Sequence, residues 1–340
     1  MSTVSSILDD VRAQLAPTDK VLKAARDRRG LVLAAAAKFP GMLRSYNSGS
    51  IAHGTANSDL DADCGIVLDR REYPELGPDG DGVGPTGPVS QVVSIISAEL
   101  AGESSSVTIE TSKRAITVSF GAPIDGYDPS VDLIVALTRR SGEGLWIPNL
   151  NADDWDASHP EKHTDLFTSG TRTLRRVRAR AVRLAKGWNG QFADPALSSF
   201  NLEAIAWECV EEDMSEASAL ARVFHHGAEQ LRDENTPDPA EVSPPIKLLV
   251  DRPVAVERLE KAAQQMDRAI ENEDDEDLAR EALSELFWEY VDPPAGSSSK
   301  AAWAASLRSG NEAVSVGAAG LELNVGRPGL KNTRSWGDGA

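Results

Sequence analysis

Two apolar runs, each with an aspartate at or near its start, constrain this chain most. They are DADCGIVLD (61–69) and SVDLIVAL (130–137). In the first, Ala62, Cys64, Ile66 and Leu68 alternate with Asp61, Asp63, Gly65 and Val67, which is the period of a strand with two distinct faces. The second reads as another buried strand, with Asp132 near its start.

The remaining pattern sorts into sheet-forming and helical halves. Residues 5–38 repeat apolar positions at helical spacing, with Pro17 as a break or fresh start. SVTIETSKRAITVSF (106–120) reads as two strands about a Ser-Lys turn, and 89–101 as a helix. GPDGDGVGPTGP (77–88) reads as a flexible surface loop. From about Asp165 the pattern turns helical, over 165–188, 198–213, 215–232, 253–271 and 276–291, with DENTPDPAEVSPP (233–245) as a linker. ENEDDED (271–277) is a solvated charge run. Beyond Pro293 small residues dominate, although LELNV (321–325) has the pattern of a short edge strand. The expected fold is α+β, with a mixed-sheet core, a helical lobe and a cleft between them. The boundaries are 1–164 for the core with its N-terminal helix, 165–295 for the lobe and 296–340 for a Gly/Ser-rich, partly flexible tail.

Composition narrows the setting. At 340 residues the chain is long enough for two buried cores. No run approaches the roughly 18 apolar residues of a membrane span, and the first residues lack the apolar core of a secretion signal. Cys64 and Cys209 are too few for a disulfide framework, so the expected location is the cytoplasm. A net charge of −18 disfavours a protein built to grip a nucleic-acid backbone, but leaves room for one local basic pocket.

The aspartates suggest chemistry by their spacing. Two Asp at i and i+2 on a strand face the same way, roughly 7 Å apart at Cα. A third from a neighbouring strand, with Asp132 the candidate, completes an all-oxygen site suited to Mg²⁺, and three carboxylates can hold two such ions. Upstream, Gly49 lets backbone approach a phosphate and Ser50 offers an N–H and a hydroxyl. Alone, an acidic-x-acidic run in an acidic chain is commonly a soluble turn; the Gly-Ser pair and the later aspartate lift it above that. Asp59-Leu60-Asp61 scans as a pair as well. The apolar run starts directly after Asp63, and Gly65 leaves room beside it, which favours Asp61 and Asp63 and leaves Asp59 as a loop acid.

These residues resemble the polymerase-beta-like nucleotidyltransferases, and GSIAHGT…DADCGIVL resembles, more narrowly, the bacterial CD-NTases, relatives of cyclic GMP-AMP synthase and oligoadenylate synthase. LWIPNLNADDWDASHPEKH (145–163) and RAVRLAKGWNGQF…LSSFNLEAIAWE (180–208) extend the resemblance over about 45–210. It implies Gly49 and Ser50 at a triphosphate, Asp61, Asp63 and Asp132 on two Mg²⁺ ions with Mn²⁺ as a substitute, and Lys186 with Ser198 or Ser199 at the donor phosphates. It implies NTP substrates such as ATP, a cyclic di- or oligonucleotide product, anti-phage signalling, a downstream effector, and regulatory or conjugating partner proteins, the last through the C-terminal SWGDGA. The same core serves enzymes that modify a protein, RNA or small molecule, and a silent nucleotide-binding module would keep it too.

Other features carry less. Arg172, Arg175, Arg176, Arg180, Arg183 and Lys186 fall within about 140° of a helical wheel, a basic face that is either solvated or phosphate-directed. Trp155 and Trp188 are expected to pack rather than stack on a base. His159 and His163 are at i,i+4, but Pro160 between them and the lack of Cys ligands argue against zinc. His53 is expected to be an exposed helix residue. GxGxxG and P-loop patterns are absent.

Overall fold

The computed structural model describes residues 2–102, 106–212 and 214–295, so the tail and its expected LELNV strand lie outside the described residues. The chain divides into two compact units. Among the described residues one, here the helical unit, holds 2–16, 170–236 and 246–295; the other, the sheet unit, holds those of 17–169 and 237–245.

The first helix, α1 (Thr3–Leu15), belongs to the helical unit, which corrects the expectation that it accompanies the core. Its stripe of Val4, Ile7, Leu8, Val11 and Leu15 packs into one cluster with Trp188, Leu197 and Phe224. Pro17 marks the boundary, and Thr18 caps a new helix, α2 (Asp19–Ala36), by accepting from the Val21 N–H.

Within the sheet unit the order continues β1 (Met42–Asn47), α3 (Gly49–His53), β2 (Ala62–Leu68), α4 (Thr86–Leu100), β3 (Thr108–Thr111), β4 (Ile116–Ser119), β5 (Val131–Thr138), β6 (Leu145–Asn149), β7 (Asp154–Ser158) and α5 (Pro160–Phe167). The sheet runs β1-β2-β5-β4-β3; β6 pairs with the far end of β5 and carries β7. The β2–β5 pairing is parallel and its neighbours are antiparallel. Ala62, Cys64, Ile66 and Leu68 join the cluster that includes Val32 of α2 and Val92 and Ile96 of α4. The other face of β2 is covered as well: at Gly65 an added Cβ would lie 2.2 Å from Cζ of Tyr46, its partner on β1. The space expected beside the aspartates at Gly65 is therefore filled by the Tyr46 ring.

Two further expectations change. The Gly/Pro-rich 77–88 segment is anchored, because the Gly77 N–H and Trp155 Nε1 both donate to the Val83 carbonyl, at 2.9 Å each. Its end already forms the first turn of α4, where Pro88 costs little because first-turn N–H groups lack intrahelical partners. The helix expected over 165–188 is two helices. The chain leaves α5 and turns at Gly170 with φ +90°, and Thr171 caps α6 (Arg172–Gly190) by accepting from the Leu174 N–H.

The helical unit continues with α7 (Ser199–Cys209), α8 (Glu216–Asp233), α9 (Arg252–Glu271) and α10 (Glu276–Leu286). It leaves off at Thr236 and resumes at Ile246, whose N–H donates to the Thr236 carbonyl at 2.7 Å. Trp188 lies in its core at 2% exposure, edge-on to Phe192 and Phe224.

Candidate active site

The acids are placed by strand register. Asp63 on β2 and Asp132 on β5 are direct partners across the parallel pair, with strands about 4.8 Å apart. On the other side of Asp132 its partner is Thr117 on β4, whose own partner on β3 is Glu110. Asp63, Asp132, Thr117 and Glu110 thus form one row on one face, and the Thr117 hydroxyl donates to Asp132 Oδ1 at 2.7 Å. Asp132 is 6% exposed, so this hydroxyl fixes a carboxylate removed from bulk water. Asp61 lies just before β2, and its Oδ1 accepts from the Ser130 N–H at 3.1 Å and the Ser130 hydroxyl at 2.6 Å. Asp59 sits in the preceding turn.

Gly49 explains the proximity of the Gly-Ser pair to these acids. Its φ is +69°, and a Cβ there would fall 1.8 Å from Asp63 Oδ2. The Asp63 carboxylate rests on bare backbone that any side chain would displace. Asp63 also ties this segment in place through its carbonyl, which accepts from the Ser48 N–H at 3.2 Å. Half-buried Ser50 is the second residue of the short α3, which Gly49 opens and Gly54 ends at φ +77°.

Charge in the neighbourhood is not all negative. Arg29 on α2 has its guanidinium pushed down by burial, an effect that the nearby Cys64 and Asp63 oppose. Its buried Nη1 has no hydrogen-bond partner among the described residues. It therefore places a cation within electrostatic range of Asp63. The Cys64 thiol is pushed well up, first by burial and then by Asp63, so it is an inert core residue.

An all-oxygen donor set in this register suits a hard cation in kind. As the side chains stand, no three His, Cys, Asp or Glu among the described residues converge as a ready-made metal cage. The bonds from Ser130 to Asp61 and from Thr117 to Asp132 orient two of the three carboxylates.

The other sequence-marked residues lie in the helical unit. Lys186 is half-buried on α6. One turn on, the Asn189 side chain accepts from the Ala196 and Leu197 N–H groups at 3.0 and 3.2 Å and donates to the Leu197 carbonyl at 2.7 Å, which sets the turn into α7. Ser198 is fully buried as the cap of α7; it accepts from the Asn201 N–H and donates to Asn201 Oδ1 at 2.8 Å. Ser199, half-buried, is the member of the pair that reaches the surface. The basic face of α6 divides: Arg172, Arg175 and Arg176 are exposed, Arg180 pairs with Glu216 at 3.1 Å, and Arg183 donates to the Arg12 carbonyl.

Sequence reasoning missed Ser130, Thr117, Tyr46, Arg29 and Glu110, which only strand pairing and helix packing bring to the row. It also missed the pairing of His163 with Asp238, Nε2 to Oδ1 at 2.5 Å. The expectation of an exposed His53 is corrected: its Nε2 lies 3.1 Å from Thr164 Oγ1 and its ring meets Phe167 edge-on. Trp155 is in the core at 4% exposure.

No known family profile and no curated protein matches this sequence. Solved structures do match. CdnC of E. coli MS115-1, in a complex with HORMA-deltaN, superposes with a TM-score of 0.63 at 16% identity, over 85% of this chain and 97% of that one. The CD-NTase CdnG of Bradyrhizobium diazoefficiens, in complex with GTP, gives 0.58 at 16% identity, over 84% and 95%. The cyclic AMP-GMP synthase DncV of Vibrio cholerae gives 0.54 at 14% identity, over 85% and 87%. At these identities the likeness establishes the fold, a mixed sheet with a helical unit as in the CD-NTases.

Proposed function

We propose that this chain, which carries the CD-NTase fold, is a nucleotidyltransferase that joins NTPs into cyclic di- or oligonucleotides. The observation that carries the reading is the in-register pairing of Asp63 with Asp132, with Asp61 two residues before Asp63 and Gly49 directly beneath it. A solved structure of the same fold, that of DncV, is a complex with a linear intermediate, 5′ pppA(3′,5′)pG.

The roles follow from the chemistry of each group. Gly49 brings backbone close to the donor triphosphate, and Ser50 offers its N–H and hydroxyl to phosphate oxygens. In the helical unit, Lys186 Nζ and the Ser199 hydroxyl are further phosphate donors. Asp132, oriented by Thr117, holds the acceptor ribose hydroxyl and takes its proton as the oxygen attacks the α-phosphorus. The bond from that phosphorus to the bridging oxygen breaks, and pyrophosphate leaves in line. A second transfer closes the ring. Mg²⁺, or Mn²⁺, held by Asp61, Asp63 and Asp132 would supply Lewis-acid neutralisation of the triphosphate when bound.

The same reading assigns the product to a signalling role in antiviral defence, with an effector that senses it. Since one solved structure of this fold is a complex with a HORMA protein, it also extends to a regulatory partner. Among the described residues no helix is long and apolar enough to cross a membrane.

The test is incubation of purified protein with four α-labelled NTPs in Mg²⁺ or Mn²⁺, then phosphatase treatment and mass spectrometry. A phosphatase-resistant product lost in Asp61→Asn is expected. Label on a protein, RNA or small-molecule acceptor would replace the cyclase reading with a transferase. NTP binding without pyrophosphate release in either metal would leave a binding module.

A further inference from the structure

Residues 237–245 interrupt the α8–α9 connection and pack as part of the sheet unit. At the centre of this strap, Asp238 is 4% exposed. Its carboxylate accepts from the Ala240, Val242 and Ser243 N–H groups at 3.3, 2.9 and 2.8 Å. The fourth contact is His163 Nε2 on α5, itself 5% exposed. The Ser243 hydroxyl donates to the Ala157 carbonyl of β7 at 2.8 Å, which fixes the strap to the sheet.

The contacts continue through α5. The His163 ring lies parallel to Phe167, with centroids 6.3 Å apart, and Phe167 meets the edge of His53 at 5.1 Å. His53 Nε2 is 3.1 Å from Thr164 Oγ1. His53 is the last residue of α3, the helix that Gly49 and Ser50 open. The run Asp238–His163–Phe167–His53 thus ends one turn from the Gly-Ser pair.

We propose that Asp238 and His163 are a positioning pair: by seating α5 they hold α3, and with it the Gly49-Ser50 backbone, in the geometry that receives the triphosphate. This rests on the reading of Gly49 and Ser50 as the phosphate seat. An apolar pair would fill the same space without the desolvation cost of a buried carboxylate. What the polar pair adds is direction, because a carboxylate bonded to three backbone N–H groups and one imidazole has a single satisfied arrangement. The strap is thereby folded and clasped to α5 by the same atoms.

The experiment uses the full chain with Mg²⁺ and α,β-methylene analogues of ATP and GTP as probes. Analogue Kd, amide hydrogen exchange across 48–55 and Tm are measured for wild type, Asp238→Ala, His163→Leu, His163→Gln and His53→Ala. Val92→Ala in α4 serves as a control for general loss of stability. Asp238→Ala and His163→Leu are expected to weaken analogue binding about tenfold and to speed exchange in α3. Val92→Ala should do neither at a similar Tm loss. His163→Gln keeps a donor and should recover most of the binding. His53→Ala should act like Asp238→Ala, and the double variant should be less than additive. Exchange in α3 no faster than in Val92→Ala, equal behaviour of His163→Leu and His163→Gln, or full additivity would each overturn the proposal. If Asp238→Ala fails to fold, His53→Ala and His163→Gln still decide it through exchange and binding. Should wild type bind neither analogue while exchange in α3 still responds to the pair, the nucleotide reading falls and the coupling of strap to α3 stands.

Discussion

The sheet unit and the helical unit bury their interiors in different ways. The sheet unit relies on large side chains at alternate strand positions, such as Ile66, Leu68, Ile116, Leu133 and Leu137, all fully buried. In the helical unit alanine recurs throughout, at Ala181, Ala185, Ala206, Ala219, Ala255, Ala269, Ala279 and Ala282, so helices meet with little between them. In the sheet a slip of one residue would turn every side chain to the wrong face. Asp63 lies next to buried Ala62 and Cys64, and Asp132 next to buried Val131 and Leu133, so both acids inherit that register. The helical unit offers a lysine at the end of a long flexible side chain. The sheet unit is suited to fixing reacting groups; on the proposed function, Lys186 in the helical unit would instead follow the phosphate it binds.

The sharpest way to break this contrast is to remove charge from the register. Asp63→Asn or Asp132→Asn should lower product formation by about 10³-fold or more, as loss of charge stabilisation at a phosphoryl-transfer site does. Tm should barely move, since Asn at 132 can still accept from Thr117. Lys186→Ala should instead act mainly on NTP KM, by roughly tenfold. Steady-state kinetics beside thermal melts would read both. A Lys186→Ala loss as deep as that of the aspartates would place fixed chemistry in the helical unit as well.

Next in size is Gly49→Ala. The added methyl meets Asp63 Oδ2 and the backbone stays at φ +69°, so neither the acid nor the loop can remain where it is. The expected cost is about 2–3 kcal/mol of stability, with activity lost even in the folded fraction. Urea unfolding measures the first and turnover per folded molecule the second. Full activity would mean that Asp63 does not need its present position.

Much of this arrangement is legible in the sequence because it follows local patterns. The strand beginning at Ala62, the aspartate near the start of β5, the Gly-Ser pair and the break at Pro17 are all read from spacing. What is not legible depends on pairing between distant segments. Nothing in sequence tells that Thr117 stands beside Asp132, or that Tyr46 fills the room at Gly65. The strands β6 and β7 are hidden by Pro148 and by the acids in NADDWD, which weaken a strand pattern. α1 reads as an amphipathic helix, but its stripe does not name the core it joins. Asp238 lies in a segment whose prolines and acids spell a linker, and its partner His163 is far away in sequence.

The strap gives a smaller effect with a definite sign. Burial alone would raise the Asp238 carboxyl, but the hydrogen bond and charge of His163 and the Ser243 and Val242 N–H groups outweigh it and hold it down at about 2. A carboxylate held below its unfolded value stabilises the fold above the unfolded pKa, and that contribution fades as pH falls toward the folded one. The stability gap between wild type and Asp238→Asn should therefore shrink as pH falls from about 4 toward 2, by about 2 kcal/mol at most. Urea unfolding of both proteins across pH 6 to 2.5 would show it. A gap that widens on acidification would mean that Asp238 is not held as a carboxylate.

The smallest effect belongs to the helical unit and is the counterpart of Gly49. Gly187 on α6 faces α1, and a Cβ there would lie 2.5 Å from Leu15 Cδ1. Two terms oppose each other. Alanine favours a helix over glycine by about 1 kcal/mol, whereas overpacking a filled core costs about 1–3 kcal/mol. Leu15 is 1% exposed and so has little space to retreat into, which lets the second term prevail. The obstructing atom is nevertheless the end of a side chain rather than a carboxylate resting on backbone, and φ at Gly187 is ordinary for a helix. Gly187→Ala should thus lose about 1 kcal/mol, and Leu15→Val in the same chain should restore part of it. NTP turnover per folded molecule should match wild type. A fall in turnover to the level of Gly49→Ala would show that the α1–α6 contact is as tightly bound to the chemistry as the sheet register, and the contrast between the units would not hold.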